Sequence, residues 1–208
     1  MVGFKTALVY TTGMNAALAK SVLMTAAEYF AWEVSQPERH DYYHGEVFAM
    51  AGGSDAHNTA SLNFAFALKS HLRGTPCRVF MADMRLELAK DSHYSYPDVF
   101  VTCDPRDTTP DASHLKKYPK LVVEVISPST SEYDQGRKFE QYRQMPGLDE
   151  VLFIDPVRRS VELFQRTQEA SQWLLIPAPE GGSVHLRSVD MDVSMATVFE
   201  GIDTAPAA

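Results

Sequence analysis

One short segment constrains the fold of this 208-residue chain more than any other. Residues 121–126 read Leu-Val-Val-Glu-Val-Ile, an almost continuous apolar run of strand length. Such a run is typical of a central strand that is buried on both faces. A strand of this kind requires a sheet that other elements cover on either side, so the chain needs a layered fold.

The patterns around this strand indicate an α/β (or α+β) fold with a mixed sheet flanked by helices. Apolar periodicity and end signals predict three helices, at residues 26–34, 57–73 and 134–145. Strand-like segments lie at residues 41–50 (a hairpin), 78–88, 98–103 and 151–154. Three further strand-like segments, at residues 160–165, 173–176 and 184–186, predict a C-terminal β-meander. The uniform βαβ alternation of a doubly wound fold is absent.

We expect one folded domain over residues 24–203, preceded by a poorly ordered extension at 1–23 and followed by a tail at 204–208. Thr25-Ala-Ala-Glu28 is a capping box that starts the first helix near Met24. The first 23 residues contain an apolar stretch that polar residues interrupt. A secretory signal would have a cleaner apolar stretch and a small-residue cleavage site.

Composition excludes some classes of protein. The formal net charge is −8, which excludes a strongly basic protein that coats nucleic acid. The two cysteines, Cys77 and Cys103, are too few for a disulfide scaffold and form no C-x-x-C pair. A reduced, cytoplasmic protein is the simpler interpretation. No apolar run is long enough to span a membrane, so we expect no membrane partner.

Glu124 is the unexpected residue, because it lies inside the apolar run. An unpaired carboxylate costs several kcal/mol to bury, so Glu124 must be paired, protonated or bound to a metal ion. From the strand alone, a structural ion pair and a functional carboxylate are both open.

Two other polar residues combine with Glu124 into a candidate site. Asp98 follows Tyr96-Pro97 and begins a short strand, where its carboxylate can face a cleft or simply a solvated turn. Lys138 lies about one turn into the helix that follows the Glu124 strand, and a solvated lysine is the alternative there. Together, two carboxylates on neighbouring strands with a nearby lysine favour a divalent cation and phosphodiester hydrolysis.

At this point the sequence resembles the Uma2 family (long called a domain of unknown function) of the PD-(D/E)XK restriction-endonuclease-like superfamily. The resemblance spans about residues 24–164. The matching stretches are residues 41–50, the His57 region, Tyr96-Pro-Asp-Val99, Leu121-Val-Val-Glu-Val-Ile-Ser-Pro-Ser-Thr130, and residues 138–142. The match around Glu124, followed at the right distance by Asp134 and Lys138, is the specific one.

The resemblance implies a restriction-endonuclease-like core and a Mg²⁺- or Mn²⁺-dependent nuclease site. Asp98 and Glu124 match the metal-binding acids. Ile126 stands where the superfamily lysine is expected two residues after Glu124, and Lys138 from the following helix fills the role instead. Glu46 matches an additional family acid. For His57, a place near the site and a structural hydrogen bond at a helix start are both open.

Three functional hypotheses follow. The first is a metal-dependent endonuclease that hydrolyses DNA, with Asp98, Glu124, Lys138 and Glu46 as catalytic residues and Asp98 and Glu124 as metal ligands. The second is a nuclease-fold binding or regulatory module without turnover, which the negative charge and Ile126 favour. The third is an assembly module in which the apolar C-terminal meander forms a homodimer face, although ordinary core packing also explains that meander.

Overall fold

The structure of the protein is a computed structural model that describes residues 23–50, 52–126, 132–169, 172–179 and 181–202. Its helices are α1 (Ala26–Glu33), α2 (Asp55–His71), α3 (Glu132–Tyr142) and α4 (Met195–Val198). Its strands are β1 (His40–Tyr43), β2 (Glu46–Ala49), β3 (Arg78–Met81), β4 (Arg85–Ala89), β5 (His93–Ser95), β6 (Val99–Thr102), β7 (Leu115–Lys116), β8 (Pro119–Val125), β9 (Glu150–Asp155), β10 (Ser160–Arg166), β11 (Trp173–Pro177), β12 (Ser183–Leu186) and β13 (Met191–Ser194).

Three predictions fall wholly or largely outside the described residues. They are the extension at residues 1–23, of which 1–22 are not described, residues 127–130 of the matching stretch around Glu124, and the tail at 204–208. The domain boundaries therefore stay a prediction.

A six-stranded sheet forms the centre of the molecule, in the order β11-β10-β9-β8-β6-β3. The β8–β9 pair is parallel and its other pairs are antiparallel, which confirms the predicted mixed sheet. Side chains of β8 alternate between two apolar clusters. Leu121, Val123 and Val125 pack with α2, whereas Val122 packs with the end of α3. Glu124, two residues after Val122, therefore faces α3.

A second, five-stranded sheet has the order β2-β1-β5-β4-β7 and supports α1. The predicted capping box is confirmed, since the Glu28 backbone N–H donates to Thr25 Oγ1 and the Thr25 backbone N–H donates to Glu28 Oε2. The buried Tyr29 ring of α1 stacks on Tyr42, and its hydroxyl donates to a backbone carbonyl of β1. The N-terminal helix is thus fixed to the hairpin β1–β2.

The prediction of one strand at residues 78–88 was wrong. The chain turns at Ala82-Asp83, where Asp83 has a φ of 51°, and β3 and β4 belong to different sheets. Asp tolerates this left-handed conformation better than most residues, so the turn is compatible with the sequence.

The interpretation of two reduced cysteines was also wrong. Cys77 and Cys103 form a disulfide. The antiparallel register of β3 and β6 pairs Arg78 with Thr102, and one step further places Cys77 opposite Cys103. The cytoplasmic location loses the argument from reduced thiols and stays a prediction. Among the described helices, none is long and apolar enough to cross a membrane.

The predicted C-terminal meander is correct for β10 and β11, which pair antiparallel beside β9. It is wrong for the third segment, because β12 pairs with β13 in a separate two-stranded sheet. Val161 and Leu163 are buried in the core, as ordinary packing predicts. Leu174 and Leu175 on the edge strand β11 are about half exposed. These two residues are the part of the meander that a partner could still cover, and the homodimer stays a prediction.

Candidate active site

Asp98 lies immediately before β6, at the level of Glu124 in the neighbouring strand. The antiparallel register of β6 and β8 pairs Val99 with Val123, so the preceding residue, Asp98, comes opposite Glu124. Asp98 Oδ2 accepts a hydrogen bond of 2.7 Å from the backbone N–H of Val125. Strand pairing therefore brings the two acids together, as the sequence hypothesis requires.

Glu124 is buried, with 3% of its surface exposed, and both of its carboxylate oxygens have donors. Tyr142 Oη donates to Oε1 at 2.5 Å, and Lys138 Nζ donates to Oε2 at 2.8 Å. Lys138 and Tyr142 are four residues apart on α3 and so lie on the same helix face. A buried carboxylate with two good donors is the arrangement that compensates for lost hydration.

The electrostatics of this pair follow from burial and from the neighbouring charges. Burial raises the pKa of Glu124, Lys138 opposes the shift, and the nearby Asp98 carboxylate adds to it. Burial alone would lower the pKa of Lys138, but the carboxylates of Glu124 and Asp41 outweigh it and raise the pKa. Lys138 is therefore a charged ammonium at neutral pH, even though its side chain is only 36% exposed.

Asp98 and Glu124 fit a divalent cation by the chemistry of their donors. Both present hard carboxylate oxygens, and the repulsion that raises the pKa of Glu124 is what a bound cation would relieve. Within the described parts of the chain, no cluster of three or more His, Cys, Asp or Glu side chains could hold a metal ion. Water would therefore have to complete the coordination of a cation held by these two residues.

His57 lies beside Asp98, although it comes from the layer on the other side of the sheet. Its Nε2 is 3.2 Å from Asp98 Oδ1, and the imidazole is 19% exposed. The contact with Asp98 raises the pKa of His57, against the opposing effect of burial. Of the two roles that the sequence left open for His57, the structure thus favours a place near the site.

An acid that sequence reasoning missed also belongs to this region. Asp41 on β1 accepts a hydrogen bond from the backbone N–H of Tyr96, and its charge raises the pKa of Lys138. Burial raises the pKa of Asp41 itself, with Lys138 opposing. The sequence did carry a signal for this acid. Asp is depleted in strands, and Asp41 stands between His40 and Tyr42 in a short predicted strand.

Glu46, the predicted additional acid, lies at the other end of the hairpin. It begins β2 opposite Tyr43. Between Glu46 and Asp98, Glu124 or Lys138, the described residues show no hydrogen bond or ion pair. Its catalytic role stays a prediction.

Several basic residues near the start of β8 have other partners. Lys116 is buried and donates to two backbone carbonyls, while Lys117 pairs with Glu87 and Lys120 with Asp149. Arg137 differs, because it is exposed on α3 directly beside Lys138 and its guanidinium lies 5.8 Å from the centre of the Phe48 ring. Its charge opposes the burial that raises the pKa of Asp41, so Arg137 lies near the site.

A separate pocket of about 240 Å³ lies at the ends of β8 and β9. Its polar lining includes Gln135, Asp155, Arg158, Ser160 and Glu162. Asp98, Glu124 and Lys138 do not line it. The pocket thus lies outside the carboxylate pair.

Comparisons with known proteins identify the family and the fold of the chain. The model of the Uma2 family, described as "Putative restriction endonuclease", matches residues 26–197. Two uncharacterized proteins of Synechocystis sp. are similar to the chain. One is 32% identical over 179 residues, covering 86% of this chain and 93% of the relative, and the other is 34% identical over 158 residues, covering 76% and 89%.

A solved structure shares the fold. It is described as a "putative nuclease belonging to DUF820 from Anabaena variabilis" and superposes with a TM-score of 0.70. The identity is 17%, and the match covers 85% of this chain and 97% of that one. The fold is thus that of a nuclease-like structure, with a mixed sheet flanked by helices. Because the family model matches most of its length, the chain belongs to the Uma2 family, described as "Putative restriction endonuclease".

Proposed function

We propose that the protein is a Mg²⁺- or Mn²⁺-dependent endonuclease that hydrolyses phosphodiester bonds of DNA. The observation that carries the proposal is the convergence of Asp98, which precedes β6, with Glu124 of β8 and Lys138 of α3. These residues are distant in sequence, and a merely structural ion pair would need only Glu124 and Lys138.

The two carboxylates would hold the metal ion. When bound, such an ion supplies Lewis acidity toward a phosphoryl oxygen and lowers the pKa of water. Asp98 is oriented by the Val125 backbone N–H, and Glu124 is oriented by Tyr142. Both acids are therefore in place before a ligand arrives, which lowers the cost of assembling the site.

Lys138 would stabilise the negative charge that develops at the phosphoryl group. Because Glu124 and Asp41 raise its pKa, Lys138 keeps its proton at neutral pH and is a poor general base. Because Lys138 reaches the Glu124 carboxylate from α3, isoleucine can stand at residue 126, where the superfamily lysine is expected.

The test is cleavage of supercoiled, linear duplex and single-stranded DNA with Mg²⁺ or Mn²⁺. We expect Asp98→Asn and Glu124→Gln to abolish measurable cleavage, and Lys138→Gln to lower the rate about 10²- to 10³-fold. Lys120→Gln, which changes a lysine paired with Asp149 away from the site, is the matched control and should keep wild-type activity. Cleavage that survives unchanged in all three site variants would refute the proposal.

One observation favours an alternative function. Both oxygens of Glu124 already accept hydrogen bonds, as they would in a nuclease fold that serves only as a binding or regulatory module. Calorimetry distinguishes the two functions. DNA binding that is indifferent to divalent metal and to Glu124→Gln would support the module, and metal-dependent turnover would exclude it.

A homodimer through β11 is part of the proposal. Leu174 and Leu175 are exposed on an edge strand, which is the kind of surface that pairs with another chain. Light scattering of the full chain tests it. A mass equal to that of one chain at all concentrations would remove the dimer.

A further inference from the structure

We infer that His57 is a positioning residue, which holds the Asp98 carboxylate in its metal-binding orientation, and that Gly53 makes the necessary space for its ring. The inference rests on the proposed function of Asp98 as a metal ligand. It assigns roles to two residues of the α2 end of the molecule that the proposed chemistry leaves unused.

The Asp98 carboxylate is held at both oxygens by two different elements. The Val125 backbone N–H of β8 donates to Oδ2 at 2.7 Å, and His57 Nε2 of α2 lies 3.2 Å from Oδ1. Two contacts at separate oxygens restrict rotation of the carboxylate, whereas one contact would leave it free to turn. Each oxygen has a second lone pair, so Oδ1 stays available to a cation.

The backbone of His57 is anchored at the start of α2. Its N–H donates to Ser54 Oγ, and its carbonyl accepts from Ser61 Oγ at 2.9 Å. The imidazole therefore has little freedom to follow Asp98 by backbone movement. Its position depends on what surrounds the ring.

Gly53 faces the ring edge that points away from Asp98. A Cβ atom placed on Gly53 would lie 2.6 Å from His57 Nδ1 and 3.0 Å from Cγ, both too close for van der Waals contact. An alanine at residue 53 would therefore push the imidazole out of its place. The neighbouring Gly52 has open space at the same position, with no atom within 4 Å of a Cβ.

This pair of glycines supplies a matched experiment on the full chain. Mn²⁺ binding is measured by calorimetry for the wild type, Gly53→Ala, Gly52→Ala, His57→Ala and His57→Gln. Loss of an outer contact to a metal ligand typically weakens metal binding about 10- to 100-fold, and we expect this for Gly53→Ala and His57→Ala. Gly52→Ala should bind Mn²⁺ like the wild type, and His57→Gln, whose amide can donate in place of Nε2–H, should recover part of the affinity.

Three further readouts separate positioning from general damage to the fold. The melting temperature of Gly53→Ala should match that of Gly52→Ala. In DNA cleavage by Gly53→Ala, the half-saturating Mn²⁺ concentration should rise, while kcat at saturating Mn²⁺ stays near the wild-type value. In the metal-free protein, the ¹⁵N shifts of the His57 ring should change in Gly53→Ala and stay unchanged in Gly52→Ala.

Equal Mn²⁺ affinity and equal ring shifts in the two glycine variants would overturn the role of Gly53. Wild-type affinity in His57→Ala would overturn the role of His57. If the wild-type protein itself bound no Mn²⁺, the proposed function would be refuted. The metal-positioning role of the contact between His57 and Asp98 would then be refuted as well. The ring shifts would still report whether Gly53 sets the place of His57.

Discussion

At the scale of single residues, the buried acid in β8 organises the site. The sequence predicted that Glu124 must be paired, protonated or bound to a metal, and Lys138 and Tyr142 do pair with it. The resemblance indicated Lys138, but no local pattern assigned a role to Tyr142 or Asp41. Their function depends on where α3 and β1 pack, which is a property of the tertiary structure.

His93 gives a prediction at the same scale. Burial, with the positive charges of His44 and Arg137, lowers the pKa of His93 from 6.5 to about 4. Below pH 6.5, His93 is protonated in the unfolded chain but stays neutral in the folded chain. Its contribution to the free energy of unfolding is therefore fully present above pH 6.5 and is lost as the pH falls toward 4. Between pH 7.5 and 4.5 this group should cost about 2–3 kcal/mol of the free energy of unfolding.

Urea unfolding at the two pH values checks the His93 prediction. His93→Gln should lose less stability on acidification than the wild type, by about that amount. His114→Gln changes an exposed histidine and is the control. Its free energy of unfolding should fall on acidification by as much as that of the wild type. The same pH dependence in the wild type and His93→Gln would contradict the prediction.

At the scale of elements, the sequence predicted the long patterns well and the short ones poorly. The bounds of α1 and the central strand β8 lie within a few residues of those expected. The short elements β5, β7, β13 and α4 were missed, and β3 and β4 were joined. Strands of three to five residues carry too little periodicity to be separated from loops, and neighbouring strands decide whether they form.

The disulfide between the ends of β3 and β6 gives a prediction for these elements. It closes a loop with a sequence separation of 26. On the chain-entropy estimate, replacing both cysteines by serine should lower the free energy of unfolding by about 3.5 kcal/mol. Urea unfolding with and without a reductant checks this, and reduced wild type should resemble the Cys77→Ser/Cys103→Ser variant. A reductant without effect, or two free thiols in the untreated protein, would contradict it.

At the scale of the whole molecule, charge placement matters more than net charge. The formal net charge of −8 excludes a protein that coats nucleic acid. It does not tell which basic residues are paired with acids and which can contact phosphate. Lys117 and Lys120 are paired with acids, whereas Arg137 is exposed beside the site. We therefore expect few phosphate contacts and weak DNA binding that depends on salt and on the metal.

Arg137→Gln tests this distribution of charge. It should weaken DNA binding and reduce the slope of log affinity against log salt by about one, because one phosphate contact is lost. Fluorescence anisotropy of a labelled duplex measures the slope. Ca²⁺, which also prefers oxygen ligands, takes the place of Mg²⁺ or Mn²⁺ in this measurement. Lys120→Gln is the control and should leave the slope unchanged. Equal slopes for Arg137→Gln and the wild type would show that Arg137 does not contact phosphate.

The sequence by itself determined the features that are encoded locally. Apolar runs and caps predicted the central strand, the first helix and a mixed sheet with helices, and an acid inside an apolar strand marked Glu124. Only the tertiary structure decided which groups meet. Strand register places Asp98 opposite Glu124 and Cys77 opposite Cys103, and helix packing brings Lys138, Tyr142 and His57 to the two acids. Register and packing depend on contacts between residues far apart in the chain, which no local pattern contains.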